Sequence, residues 1–444
     1  MKKVSLVSLG CSKNLVDAEE MMGILEEAGF ELVTDEEDAE IMIVNTCAFI
    51  DDAKQESIDC IMELIEYKKK DPNRILVVTG CMSQRYKEEL IKEIPEIDIV
   101  IGTNEYDKIA GIIKMHTSGS AEIYCSDEYM SCTRLPRIVT TPDYMAYLKI
   151  AEGCDNHCTY CVIPSIRGKY KSRIIEDIVA EARSLAEKGV KELVVIAQDT
   201  TRYGMDIYGE YKLPKLLDEL CLIDGIRWIR VHYCYPELVT DELIDTIARQ
   251  DKICNYFDIP IQHCNDRILK LMGRRTNKAE IVSTIKKLRE RIPDVIIRTS
   301  LIAGFPTETE EEFDELREFV TETEFDRLGV FAYSREEGTA AARLDGQIDE
   351  DEKKNRQEVI MIDQSAVSEE LNSKKVGKTF EVLVEGYDNL IKQYYGRTYG
   401  DSEEIDGKVF FTSDTKLQSG DFSNVEITDY MEYDLYGVCK KGGE

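Results

Sequence analysis

Three cysteines stand close together in the segment "AEGCDNHCTYC": Cys154, Cys158 and Cys161, spaced C-x3-C-x2-C. Metal centres built by proteins usually want four ligands, and no fourth cysteine stands nearby. A zinc ribbon takes four protein ligands, commonly from two separate C-x2-C pairs. His157 is the one nearby imidazole, and a zinc site that uses it as fourth ligand stays open. A ferredoxin-type cluster takes four thiolates and lacks its fourth here. The remaining reading is a [4Fe–4S] cluster held by three cysteines, with one iron left for a small molecule. A chelating amino acid group can dock on that iron and accept an electron from the cluster.

A second set of three is spread wider. Cys11, Cys47 and Cys81 each end an apolar run, "KKVSLVSLGC", "AEIMIVNTC" and "NRILVVTGC". Helical patterns separate these runs, and a fourth run, "IDIVIGT", follows. Alternation of this kind predicts an open parallel α/β sheet. Ligand sites in such sheets lie outside the carboxyl ends of the strands, and neighbouring strands run about 4.8 Å apart. Three thiols far apart in sequence thus converge on one centre. The remaining cysteines carry no cluster spacing, and Cys60, Cys125, Cys132, Cys221, Cys254 and Cys439 read as buried structural thiols.

Three units must position these residues. Residues 1–117 form the N-terminal sheet, and 118–139 is a linker without periodicity. Over 140–370 the apolar runs "YMAYLKIAEG", "ELVVIAQ", "WIRVHYC", "NYFDIPI", "DVIIRTSLIAG" and "RLGVFAYS" alternate with amphipathic helices. They predict a partial or full (β/α) barrel with its chemistry at the carboxyl strand ends. The cysteine triplet leaves the first of these strands. A charged helix then leads to 373–444, whose short alternating strands and Gly and Asp turns predict a small antiparallel β-barrel.

Composition bounds the partners. The chain has 444 residues and 14 cysteines, a number that favours metal or redox chemistry over a disulfide framework in a cytosolic protein. The start "MKKVSLVSLGC" imitates a lipoprotein signal, but its apolar stretch is shorter than the roughly 7–15 residues of a signal core. No run approaches the roughly 18 apolar residues of a membrane span, so a cytoplasmic protein without a membrane partner is expected. The net charge is −31, and residues 374–444 hold nine basic against fourteen acidic residues. That balance opposes tight binding to bare RNA phosphate and favours a basic protein partner.

C-x3-C-x2-C leaving the first strand of an α/β barrel resembles the radical S-adenosylmethionine enzymes. The resemblance implies that Cys154, Cys158 and Cys161 bind a [4Fe–4S] cluster and that S-adenosylmethionine occupies the open iron. Reductive cleavage then gives a 5′-deoxyadenosyl radical, with an electron from a cytosolic donor. Tyr160 matches the family's aromatic near the adenine. Gln198 in "IAQDTTRYG" and Ser300 in "TSLIAGFPTET" sit where the family contacts the rest of the cofactor.

The whole chain is further similar to the methylthiotransferases, through "SLGCSKNLVDAEE", "IVNTCAFI", "VVTGC" and "KIAEGCDNHCTYCVIPSIRGKYKSR". The resemblance implies a second [4Fe–4S] cluster on Cys11, Cys47 and Cys81, which delivers the sulfur or methylthio group, and a TRAM-like C-terminal barrel. No catalytic residue is implied beyond the cluster ligands. "GCSKNLVDAE" resembles the branch acting on an aspartate of ribosomal protein S12, free or in the small subunit, although Ser12 replaces that branch's proline. The alternative is the tRNA adenosine branch, which typically reads Gly-Cys-Gln-Met-Asn there.

Overall fold

A computed structural model describes residues 1–117, 119–126 and 134–440. Cys132 lies outside the described residues.

The N-terminal unit is a six-stranded, all-parallel sheet. Its strands are β1 (Lys3–Ser8), β2 (Glu31–Leu32), β3 (Ile41–Thr46), β4 (Ile75–Gly80), β5 (Ile99–Ile101) and β6 (Glu122–Tyr124), in the order β2-β1-β3-β4-β5-β6. Every residue of β3 and β4 is buried, as in parallel strands covered on both faces. The helix Ser12–Glu27 packs Ala18, Met21 and Leu25 on one face, and Asp51–Lys70 packs Ile61, Leu64 and Ile65 on the other. The edge strands β2 and β6 are too short to show a period in the sequence. β6 lies in the stretch read as linker, so the sheet extends past residue 117.

The central unit places six parallel strands along an arc. They are β7 (Met145–Lys149), β10 (Glu192–Ile196), β11 (Trp228–Val231), β12 (Tyr256–Asp258), β13 (Ile296–Ala303) and β14 (Arg327–Ala332). A small antiparallel pair, β8 (Ala151–Glu152) and β9 (Lys171–Ser172), follows β7. The ladders run β11-β10-β7 and β12-β13-β14, and an Ile229–Ile253 bridge links the two halves. Among the described residues β7 and β14 do not pair, which makes this a partial barrel. Leu148, Leu193, Val195, Ile229, Ile297 and Leu301 face the helices in one large apolar core.

A 24-residue helix, Glu350–Ser373, leads to a closed barrel of β15 (Thr379–Asp388), β16 (Gln393–Arg397), β17 (Val409–Thr412), β18 (Phe422–Tyr430) and β19 (Leu435–Cys439). Val382, Val384, Val409, Phe411, Val425 and Ile427 fill it. Closure is antiparallel except where β19 lies parallel to β17. That pairing arises because "DFSNVEITDYMEYDLYGVC" turns at 431–434 and contributes two strands. No helix among the described residues is long and apolar enough to cross a membrane.

The barrel docks on the amino ends of the central strands, opposite the cysteines. Arg397 reaches 2.7 Å to Glu192 at the start of β10, and Arg230 donates to the same carboxylate at 2.9 Å. Tyr256 donates to Asp406 at 2.7 Å, and Arg327 pairs with Asp401. Burial would raise the Glu192 carboxyl, but the guanidiniums of Arg397 and then Arg230 overcome it and hold it at about 2. This lies below the ordinary glutamate value of about 4.3. Its stabilisation is therefore complete above that value and lost as pH falls towards 2. Glu192→Gln leaves two buried arginines facing a neutral amide, and losing one partner of a buried ion pair costs about 3–5 kcal/mol. Urea unfolding at neutral pH is expected to show that loss, and the variant's stability should fall less steeply than the parent's below pH 4.

Candidate functional site: two facing cysteine triplets

Cys11, Cys47 and Cys81 follow β1, β3 and β4, the three adjacent central strands of the first sheet. Cys11 is the N-cap of the helix Ser12–Glu27, and Cys81 opens the helix Cys81–Tyr86. Gly10 has a left-handed φ of 87°, and a Cβ there would lie 2.7 Å from the Cys47 Cβ and 3.0 Å from its Sγ. Glycine thus keeps the space beside the Cys47 thiol clear. Gly80, before Cys81, has φ 94° and leaves room for Asn45 and Thr46 of β3. Burial pushes the Cys81 thiol up to about 12, against the pull of Arg167, and the other two thiols of the set raise it further. The three thiols therefore lie within electrostatic reach of one another.

Cys154, Cys158 and Cys161 occupy the loop between β8 and the helix Ile163–Arg167. Main-chain N–H groups of Asn156 and Ile163 each point at a sulfur, Cys154 and Cys161, at 3.4 Å. Arg274 donates to Cys158 Sγ at 3.8 Å, and the Tyr235 hydroxyl is also 3.8 Å from it. The Arg274 guanidinium stacks 4.4 Å over the Tyr235 ring. Burial pushes the Cys154 thiol to about 11 and Cys161 to about 12, and their neighbouring thiols add to it. Buried thiols of this kind stay protonated until a metal replaces the proton.

The two triplets share a border. The helix that follows Cys161 ends in Arg167, whose guanidinium donates to Cys81 Sγ at 3.4 Å, Asp17 at 2.6 Å, Asn14 at 3.0 Å and Glu152 at 3.1 Å. Glu152 in turn accepts from the Gly153 N–H at 3.1 Å and from Gln198 at 2.6 Å.

Donor chemistry discriminates the candidate centres. Among the described residues no three His, Cys, Asp or Glu side chains close around a point that could hold a single metal ion, and His157 is exposed. That disfavours zinc with His157. A cluster is bound at separate irons, so its thiolates stand further apart than those around one ion. Sulfur-only donors with N–H and guanidinium groups aimed at them suit an iron–sulfur cluster.

The remaining predicted residues divide. Tyr160 packs against Ile268, Met272, Phe305 and Tyr333, and burial and then Cys158 push its phenol up. Gln198 is tied to the triplet through Glu152, and among the described residues its buried Oε1 has no partner, as a ligand-contacting amide would. Ser300 lies on β13, where its carbonyl accepts from Gln262 and its hydroxyl lies 3.5 Å from Arg298. Of the thiols read as structural, Cys221 and Cys254 are buried, and Cys60, Cys125 and Cys439 are half-buried. Arg167, Tyr235 and Arg274 were not singled out from the sequence. Arg167 lies inside the cysteine motif's own continuation, "CVIPSIRGKYKSR", and is the one of the three with a local signal.

Known protein families match three stretches of the chain. Residues 3–102 match the Uncharacterized protein family UPF0004, 148–320 the Radical SAM superfamily, and 376–439 the TRAM domain. The ribosomal protein uS12 methylthiotransferase RimO of Clostridioides difficile (strain 630) is 56% identical over 98% of each chain. RimO of Lachnoclostridium phytofermentans is 51% identical over 99% of this chain and all of its own. Among solved structures, the radical S-adenosylmethionine methyltransferase TsrM of Kitasatospora setae shares the fold, with a TM-score of 0.55 at 16% identity. It covers 74% of this chain and 73% of its own. Full-length identity above one half, joined to the order of the three matched domains, makes the chain a member of the RimO family of radical S-adenosylmethionine methylthiotransferases.

Proposed function

We propose that this protein transfers a methylthio group to an aspartate side chain of ribosomal protein S12, giving 3-methylthioaspartate. The observation that carries the reading is the bordering pair of cysteine triplets, joined through Arg167, in a chain of this family. We assign a [4Fe–4S] cluster and S-adenosylmethionine to Cys154, Cys158 and Cys161, and a second [4Fe–4S] cluster to Cys11, Cys47 and Cys81. When bound, these groups supply a 5′-deoxyadenosyl radical on one side of the gap and the transferred sulfur on the other.

The protein's own residues hold and separate these reactants. Tyr160 closes the apolar side of the S-adenosylmethionine site and Gln198 offers it an amide oxygen, with Ser300 as a further contact from β13. Arg274 and Tyr235 cover Cys158. The division into 1–117, 140–370 and 373–444, with β6 added to the first unit, gives each triplet its own sheet and leaves the barrel free of the chemistry. The protein works in the cytoplasm with an electron donor of that compartment. An acidic surface steers a basic ribosomal protein, in a manner that salt weakens, and gives no tight hold on bare RNA.

Mass spectrometry of cells lacking the gene tests this. Ribosomal protein S12 is expected to lose its methylthio group from aspartate while tRNA stays fully methylthiolated. The reverse pattern, with tRNA adenosine losing the group, would overturn the reading. Deleting the barrel is a poorer test, because it uncovers the buried Glu192, Arg230 and Arg327.

A further inference from the structure

Lys13 is a buried cation to which no carboxylate is paired among the described residues. It follows Cys11 by two residues, on the first turn of the helix that Cys11 caps, and is only 8% exposed. Its Nζ sits 3.5 Å above the centroid of the Tyr233 ring. Among the described residues neither a carboxylate nor a carbonyl oxygen is hydrogen-bonded or ion-paired to it. Neighbouring buried cations are satisfied otherwise. Arg167 has Asp17 and Glu152, Lys149 has Asp17 and Glu20, and Arg298 has Asp258. Arg274 has the Pro260 carbonyl at 2.9 Å. The Tyr233 side chain and the nearby Cys11 sulfur favour the ammonium, but no carboxylate among the described residues returns the rest of its desolvation cost.

The position is also held deliberately. Tyr233 has φ 61°, a left-handed conformation uncommon for a bulky residue, and its N–H donates to Asp258 at 3.0 Å. Two residues later Tyr235 reaches Cys158. One short segment therefore sets the ring beneath Lys13 at one end and a hydroxyl beside the other triplet at its far end. Lys13 is thus two residues from Cys11, and the ring beneath it two residues from the hydroxyl beside Cys158, which puts the ammonium next to both triplets.

We propose that Lys13 binds the carboxylate of the substrate aspartate, orienting its side chain between the two triplets. This rests on the function proposed above and adds to it the group that distinguishes an acid side chain from a neutral one. A free carboxylate could also come from S-adenosylmethionine, and the experiment separates the two sources.

The test is a binding measurement on anaerobically reconstituted holoenzyme without reductant, using ribosomal protein S12 with its target aspartate intact or changed to asparagine. The parent enzyme is expected to bind the aspartate form at least about tenfold more tightly, the worth of one charge-assisted hydrogen bond. Lys13→Met keeps the unbranched shape and should bind both forms alike, with iron content and S-adenosylmethionine affinity unchanged. Lys13→Arg should keep the preference, and Lys13→Gln should lose it, so the result does not hang on one variant's folding. A Lys13→Met or Lys13→Gln enzyme that still prefers aspartate overturns the proposal. So does a loss of S-adenosylmethionine affinity with the preference intact, which would give the carboxylate to the cofactor. A parent enzyme that binds neither form of S12 overturns the functional reading itself.

Discussion

Replacing Cys154, Cys158 and Cys161 together by alanine is expected to halve the iron of the reconstituted protein and abolish cleavage of S-adenosylmethionine. Replacing Cys11, Cys47 and Cys81 should also halve the iron, yet leave cleavage intact. Each sheet has a core of its own. The N-terminal sheet packs its own cores around Ile43 and Val77 on one face and Val44 and Val78 on the other, and the central strands pack theirs around Leu148, Leu193 and Ile297. The units meet where Val162 and Ile166, on the helix after Cys161, join the core that includes Cys81, but Cys154, Cys158 and Cys161 are not part of that core. Small substitutions at strand ends cost little beside the 2–5 kcal/mol or so of a large-to-small change in a core. Iron analysis with quantification of 5′-deoxyadenosine checks both variants. A folded Cys11, Cys47 and Cys81 variant that had lost all cleavage would show that the division of labour is wrong.

What the sequence made legible, and what it hid, follows from the range of the interactions. Cys154, Cys158 and Cys161 announce themselves because their spacing is local. Cys11, Cys47 and Cys81 are legible because each ends a long apolar run, and parallel-sheet geometry then brings adjacent strand ends together. β2 and β6 escaped notice because two or three residues at a sheet edge carry no periodicity. The docking of Arg397 on Glu192 spans the two units and leaves no trace in either local pattern. Lys13 and Arg167 stand inside quoted motifs, but a lysine or arginine in a motif says nothing about whether its charge is paired. Only the fold shows that Arg167 is neutralised by Asp17 and Glu152 while Lys13 is not.

Arg167 joins Cys81 to Glu152, beside the central triplet, and its replacement carries the second large effect. The guanidinium is 2% exposed and divides its donors among Asp17, Glu152, Asn14 and the Cys81 sulfur. Removing it leaves two carboxylates facing a cavity, a loss of about 3–5 kcal/mol for a broken buried pair. Asp17 retains Lys149 as a partner, which lessens the damage and keeps the variant foldable. The functional loss should exceed the structural one. In the cluster proposed for Cys11, Cys47 and Cys81, a cation donating to the Cys81 sulfur would stabilise the reduced, more negative state, so Arg167→Ala should lower the reduction potential of that centre. Among the described residues Arg167 donates to no sulfur of the central triplet, which should still cleave S-adenosylmethionine. Cleavage without transfer then follows, and the ratio of 5′-deoxyadenosine to modified S12 should rise at least about tenfold. Arg167→Lys restores the charge but offers a point donor where a planar fork is used. Its potential should return most of the way to the parent's, while coupling recovers only in part. An unchanged potential in Arg167→Ala, measured in the Cys154, Cys158 and Cys161 to alanine background where only one centre remains, would show that Arg167 holds the domains together and does not act on the cluster.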